Sequence, residues 1–222
     1  MMEIRKINKD VHKIISGSEY LGCGASKEAY LKNDIVYKIP RGDYLITRTG
    51  LDLTNTIPDK MEEVNNFLTY VESFDEAMVW PVGQFAIELI IWKAVEELQK
   101  EGLAINCFAP IKDYYLDNEG VLVIEQEAMN TMEAPVLSKE ELNKAYDVMC
   151  NELELLEPIL FERFGIKLRD VREGNCGIDK EGKCRLFDFG ISTTTDLDSY
   201  GSYSDYAESC NSYDSWCSDS NY

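Results

Sequence analysis

Apolar and polar positions along the chain change period several times, and each change marks an element. Residues 11–20 are mixed and β-branched and read as a strand. Leu21-Gly22-Cys23-Gly24-Ala25-Ser26 then reads as a turn able to reach positive φ. Glu28-Ala29-Tyr30-Leu31, a turn at Lys32-Asn33-Asp34, and Ile35-Val36-Tyr37-Lys38-Ile39 complete a strand–turn–strand unit. Residues 51–58 read as a loop. Residues 59–74 carry Met61, Val64, Phe67, Leu68 and Val71 at helical spacing. Pro81-Val82-Gly83 is read as a chain break, followed by a helix over 84–99 with Ile87, Ile91, Ala94, Val95 and Leu98 on one side. Residues 109–116 and 121–125 read as antiparallel strands around the turn Asp117-Asn118-Glu119-Gly120. A long helix starts at Ser138, whose spacing to Glu141 is that of a capping box, and ends at Gly165. Last comes a short hairpin, Cys176-Gly177-Ile178 and Cys184-Arg185-Leu186-Phe187 about Asp179-Lys180-Glu181-Gly182, which delivers Asp188 at its end.

Composition narrows the classes. With 222 residues, 45% of them apolar, the chain can bury one sizeable core or two small lobes sharing a cleft. A formal charge of -19, from 41 acidic and 22 basic residues, repels phosphate backbones and argues against nucleic acid as a partner. Seven cysteines without a C-x-x-C pair favour reduced thiols over a disulfide framework or a zinc ribbon, Cys176 and Cys184 being read as two buried thiols facing each other across their hairpin. The lone His12 has no nucleophile nearby in sequence and reads as structural. The N-terminus lacks the apolar run of a signal peptide, and the apolar stretches read as too short to span a bilayer. The expectation is a cytoplasmic protein with no membrane partner. Residues 192–222 hold no Lys or Arg and are rich in Ser, Thr, Tyr, Asp and Gly, an acidic tail of low burial potential.

The glycines sit between two strands, not before a helix, and no Gly-Lys-Ser/Thr comes after them, so neither a dinucleotide fingerprint nor a Walker loop is indicated. Downstream of the glycines the chain carries an ordered set suited to phosphoryl transfer: a lysine on the next strand, a helix glutamate to hold it, then Asp, Asn and Asp with hard oxygen donors.

On these residues the chain resembles the protein-kinase-like superfamily, and within it the compact kinase-like proteins of phages and bacteria. The stretch from Leu21 to Tyr30 is similar to the glycine-rich loop, with Lys27 in the place of the third glycine. Val36-Tyr37-Lys38 is similar to the strand that carries the phosphate-anchoring lysine. Leu168-Arg169-Asp170-Val171-Arg172-Glu173-Gly174-Asn175 keeps the Asp-to-Asn interval of the catalytic loop, with Leu168 replacing its histidine, and Asp188-Phe189-Gly190 comes next.

The resemblance implies an α+β, two-lobed kinase-like fold with a small antiparallel-sheet N-lobe and a truncated helical C-lobe. Residues 1–128 would form the N-lobe, with 43–83 inserted before the C helix, 129–191 a minimal C-lobe, and 192–222 the tail. No Ala-Pro-Glu occurs after Gly190, so a pared peptide-binding region is expected. The resemblance also implies ATP and Mg2+ as cofactors. Gly22, Gly24, Ser26, Ala29, Val36 and Lys38 would line the nucleotide site, with Ile124 as gatekeeper and the backbone of Glu125 and Glu127 at the adenine edge. Asp170 would be the base, Arg172 a phosphate contact, and Asn175 and Asp188 the metal ligands. Glu88 is chosen as the partner of Lys38, with Glu63 and Glu97 as rivals. The function implied is transfer of the γ-phosphate to protein hydroxyls, on a protein substrate or the chain's own tail. The alternatives are a nucleotide-binding pseudokinase acting through a partner, or a small-molecule kinase. A homodimer built on 43–83 accompanies the pseudokinase reading.

Overall fold

The computed structural model describes residues 1–24, 26–41, 50–131 and 137–190. The tail with its hydroxyl side chains, and the 43–49 part of the expected insert, lie outside them. The described chain is α+β. A five-stranded antiparallel sheet has the order β1-β2-β3-β5-β4, and a second sheet the order β6-β7-β8. The first comprises β1 (Glu19–Cys23), β2 (Lys27–Lys32), β3 (Ile35–Pro40), β4 (Ile111–Leu116) and β5 (Leu122–Glu127). The second comprises β6 (Asn130–Thr131), β7 (Cys176–Ile178) and β8 (Cys184–Leu186). Four α-helices are described: α1 (Val11–Ile15), α2 (Val64–Glu72), α3 (Val79–Lys100) and α4 (Lys139–Phe164).

Side chains alternate across the large sheet, so its faces do different work. Val11 of α1 covers one face with Ile39, Tyr115, Val121 and Val123. The other face meets α3, which is buried almost all round and forms the spine of the main core with α2 and the hairpin β7–β8. The hairpin is tied to the segment before β4 by backbone bonds from Leu186 N to Cys107 O, at 2.7 Å, and from Ala109 N to Leu186 O, at 2.9 Å. The second sheet is thereby fixed against the first.

Four expectations are corrected. The strand read over 11–20 is a short helix followed by a strand: the Asp10 side chain caps the first turn by accepting from His12 N, and Gly17 at φ 73° lets the chain turn back into β1. Pro81 and Gly83 do not break the chain. Proline is tolerated in a first turn, where its missing N–H would have no partner anyway. At Gly83 an added Cβ would lie 2.7 Å from Leu68 Cδ2, so the glycine lets α2 press against α3. The turn and helix over Glu76–Lys100 are long and apolar enough to cross a bilayer by length and composition, contrary to the expectation of short stretches; 89% of the apolar window is buried inside the fold. Cys176 and Cys184 stand diagonally in the hairpin register rather than opposite, with their thiols in hydrogen-bond contact, and the five described cysteines are free.

Candidate functional site

Strand register builds the site's floor. Ala29 pairs with Lys38, Lys38 with Ile124, and Val36 with Gln126, so these side chains share one face of the sheet. Lys27, two residues before Ala29, falls on the same face. The helix α3 crosses this face with Trp80, Gln84 and Glu88 spaced four apart.

Glu88 is fully buried and meets two lysines. Lys38 Nζ donates to its Oε1 and Lys27 Nζ to its Oε2, both at 2.6 Å. Lys27 Nζ also donates to Asp188 Oδ1 at 2.6 Å, and Lys38 Nζ to the Phe187 carbonyl at 2.6 Å. The rivals lie elsewhere: Glu97 pairs with Arg163, and Glu63 flanks the start of α2. Two cations and two carboxylates thus form one compact, charge-balanced cluster. Burial lowers the pKa of Lys38, which Glu88 counters and Lys27 reinforces. Lys27 is pulled the other way: burial favours its neutral form, but Glu88 and then Asp188 outweigh it and raise the pKa. Asp188, with burial opposing, is held down to about 2 by Lys27 and Lys38.

The catalytic-type loop is locked from within. Asp170 takes φ 59°, an uncommon conformation for a non-glycine residue and one that clusters at functional sites. Arg172 Nε pairs with its Oδ1 as an ion pair at 2.9 Å, and Asn175 Nδ2 donates to its Oδ2 at 2.9 Å. The Asn175 carbonyl accepts from the backbone of Phe187, at 2.9 Å, and of Asp188, at 3.3 Å, so this loop sets the position of the second carboxylate. Phe189 is buried edge-on against Phe108, with ring centroids 5.1 Å apart. Gly190 passes so close to α3 that an added Cβ would lie 2.8 Å from the Gln84 carbonyl.

Between these parts lies a cavity of about 500 Å³. Gly22, Gly24, Ser26, Ala29, Val36 and Lys38 line it from the sheet, and Asp170, Arg172 and Asp188 from the opposite side. Gly22 sits at a bulge in β1 with φ 141°, and the turn closes with Gly24 N donating to Lys27 O at 2.8 Å.

Three expected residues are placed differently. Ile124 does not line the cavity: it is fully buried opposite Lys38, and Gln126, one same-face step along β5, lines it instead. Glu125, expected to present its backbone there, does not line the cavity; its side chain lies on the other face, where its carboxylate accepts from Tyr115 OH at 2.8 Å. The cavity edge runs instead through Gln126, Glu127, Ala128 and Met129. Asn175 does not line the cavity: it is buried, and its Nδ2 donates to the Asp170 carbonyl at 2.8 Å and to Asp170 Oδ2. Lys27, Trp80, Gln84 and Gln126 also line the cavity and were not expected there, Lys27 having been noted only for its place in the glycine-rich stretch. For Lys27 a signal was present, since it alternates with Ala29 along one strand face.

Asp188 offers carboxylate oxygens to the cavity, donors that suit a hard divalent ion. Lys27 holds one of the Asp188 oxygens. Among the described residues no group of three or more His, Cys, Asp or Glu forms a metal-binding cluster.

No family model and no curated protein matches the chain. Among solved structures it is similar to WbdD, crystallised with the kinase inhibitor LY294002, at 16% identity and a TM-score of 0.36. The match covers 80% of this chain and 33% of WbdD, so the chain spans about a third of that protein's length.

Proposed function

We propose that the cavity binds ATP with Mg2+ and that the protein transfers the γ-phosphoryl group to protein hydroxyls, those of its own tail among them. The observation that carries the reading is the buried Lys38–Glu88 pair at 2.6 Å, with Lys38, Asp170 and Asp188 lining one cavity. Such a pair orients an ammonium toward phosphate oxygens, and phosphoryl transfer asks a protein mainly for positioning and charge neutralisation. The sheet and the α4–hairpin unit act as two small lobes about this cleft. In this reading Ala29 and Val36 pack on the adenine, the backbone from Glu127 to Met129 meets its edge, and the turn at Gly22 and Gly24 approaches the phosphates. Asp188, which lines the cavity, would hold the metal, which supplies charge neutralisation on the phosphate oxygens, and Asn175 would keep Asp170 in place from behind.

Asp170 would accept the proton of the acceptor hydroxyl as that oxygen attacks the γ-phosphorus. The bond to the β–γ bridging oxygen then breaks and ADP leaves. Arg172, 61% exposed, can release Asp170 and move to phosphate. Intact-mass measurement of the full chain after incubation with ATP and magnesium, alongside label transfer to lysate proteins, tests the proposal. Asp170→Asn is expected to lower transfer by about 10²–10⁴-fold, the range of a general-base contribution. No transfer to any acceptor overturns it.

A second reading, a nucleotide-binding regulator without turnover, draws support from the contacts already made by both Asp170 oxygens. ATP-dependent thermal stabilisation without any mass increase is its expected signature.

A further inference from the structure

Lys27 stands beside the glycine-rich turn, yet its ammonium lies in the cleft and not in solvent. It joins Glu88 to Asp188, at 2.6 Å from each, while Lys38 occupies the other oxygen of Glu88. An aspartate placed to hold a divalent ion therefore already has a cation at hydrogen-bond distance. A second observation lies one helical turn away. Gln84, 2% exposed, carries a buried Oε1 without a hydrogen-bond partner. That oxygen and Lys27 Nζ both flank Gly190, at 3.5 and 3.3 Å from where its Cβ would stand. Lysine has three donors, and Lys27 uses two of them on Glu88 and Asp188. It also has the flexible stem needed to change partners.

We propose that Lys27 is a second phosphate-anchoring lysine that stands in for a divalent ion at Asp188 when none is bound, so that this cleft takes up a nucleoside triphosphate with or without metal. The inference rests on the nucleotide-binding reading above. Glu88 keeps hold of Lys27 while its remaining donors pass from Asp188 to phosphate oxygens, and Gln84 Oε1 is the acceptor that steadies the moved ammonium. A chain of formal charge -19 repels a triphosphate as a whole, which makes a second local cation consequential.

The test is binding of a fluorescent N-methylanthraniloyl ATP to the full chain, once in excess chelator and once in magnesium. Wild type should bind in both, with dissociation constants within about threefold of each other. Lys27→Met should weaken binding in chelator by about tenfold or more, with magnesium restoring most of it, and Lys27→Arg should bind in chelator like wild type. Glu88 keeps Lys38 in these variants, so the buried carboxylate stays paired. Asp188→Asn, which leaves Lys27 in place and frees it, is an independent arm and should bind more tightly in chelator. Lys27→Met binding like wild type in chelator overturns the inference and leaves the nucleotide site standing. So does wild type that binds only with magnesium, or Asp188→Asn that binds more weakly in chelator. Wild type that binds under neither condition overturns the nucleotide-binding reading itself and this inference with it.

Discussion

Glu88 has no exposed surface and two lysines on its two oxygens, so its charge is the hinge of the buried electrostatics. Removing one member of a buried ion cluster leaves the others uncompensated, at a cost of about 3–5 kcal/mol. Glu88→Ala is therefore expected to lower the unfolding free energy by that order in a urea titration, because Asp188 alone then faces two buried ammonium groups. Glu88→Gln, which keeps hydrogen-bonding atoms, should cost less. Asp188 gives the pH dependence. Its pKa falls from an ordinary 3.8 to about 2 in the folded state, so its contribution is fully present above pH 4 and is lost as pH drops toward 2. Thermal melts across that window should show a stability loss that is smaller in Asp188→Asn. At this scale the resemblance carried by residue type and order pointed to Lys38, Glu88, Asp170 and Asp188, and the fold brings Lys38 onto Glu88. Residue type and order could not show that Lys27 reaches the same carboxylates, because that depends on which way β2 faces once paired with β3.

Helix ends and turns were the most legible elements, since their chemistry is local. Ser138 accepts from Glu141 N while Glu141 reaches back to Ser138 N, and Gly165 ends α4 in the left-handed region at φ 69°. Ser138→Ala should cost about 1 kcal/mol, read as a lower denaturation midpoint with an unchanged slope. The turns after Asp117 and Asp179 are built alike. Asp117 accepts from the backbone N–H of Glu119 and Val121, and Asp179 from those of Glu181 and Lys183. Elements whose identity depends on packing were misread. Pro81 and Gly83 carry the local signature of a break, yet α3 runs through them because the first takes an N–H-free position and the second admits Leu68. The cavity-lining position on β5 differs by one same-face step for a related reason: alternation says that Ile124 and Gln126 share a face, but not how far the cavity extends along it.

Over the whole molecule, net charge and core pull in opposite directions. An excess of acidic residues strains the folded state by self-repulsion, and the Debye length shrinks to about 10 Å at 0.1 M salt. The melting temperature should accordingly rise with sodium chloride from low to physiological ionic strength, and a fall would mean that exposed pairs such as Lys180–Asp34 matter more than the net field. Most strand and helix positions were already legible in the linear chain, because each follows from side-chain periodicity or local capping, while the α+β class and the roles expected of Lys38, Asp170 and Asp188 came from the resemblance that their order carries. Folding in three dimensions was needed to bring two lysines onto Glu88, to set Gln126 rather than Ile124 at the cavity border, and to draw the apolar stretch of α3 into the core. Each of these depends on distances between segments far apart in the chain, which pairing register and helix docking set and which no local pattern encodes.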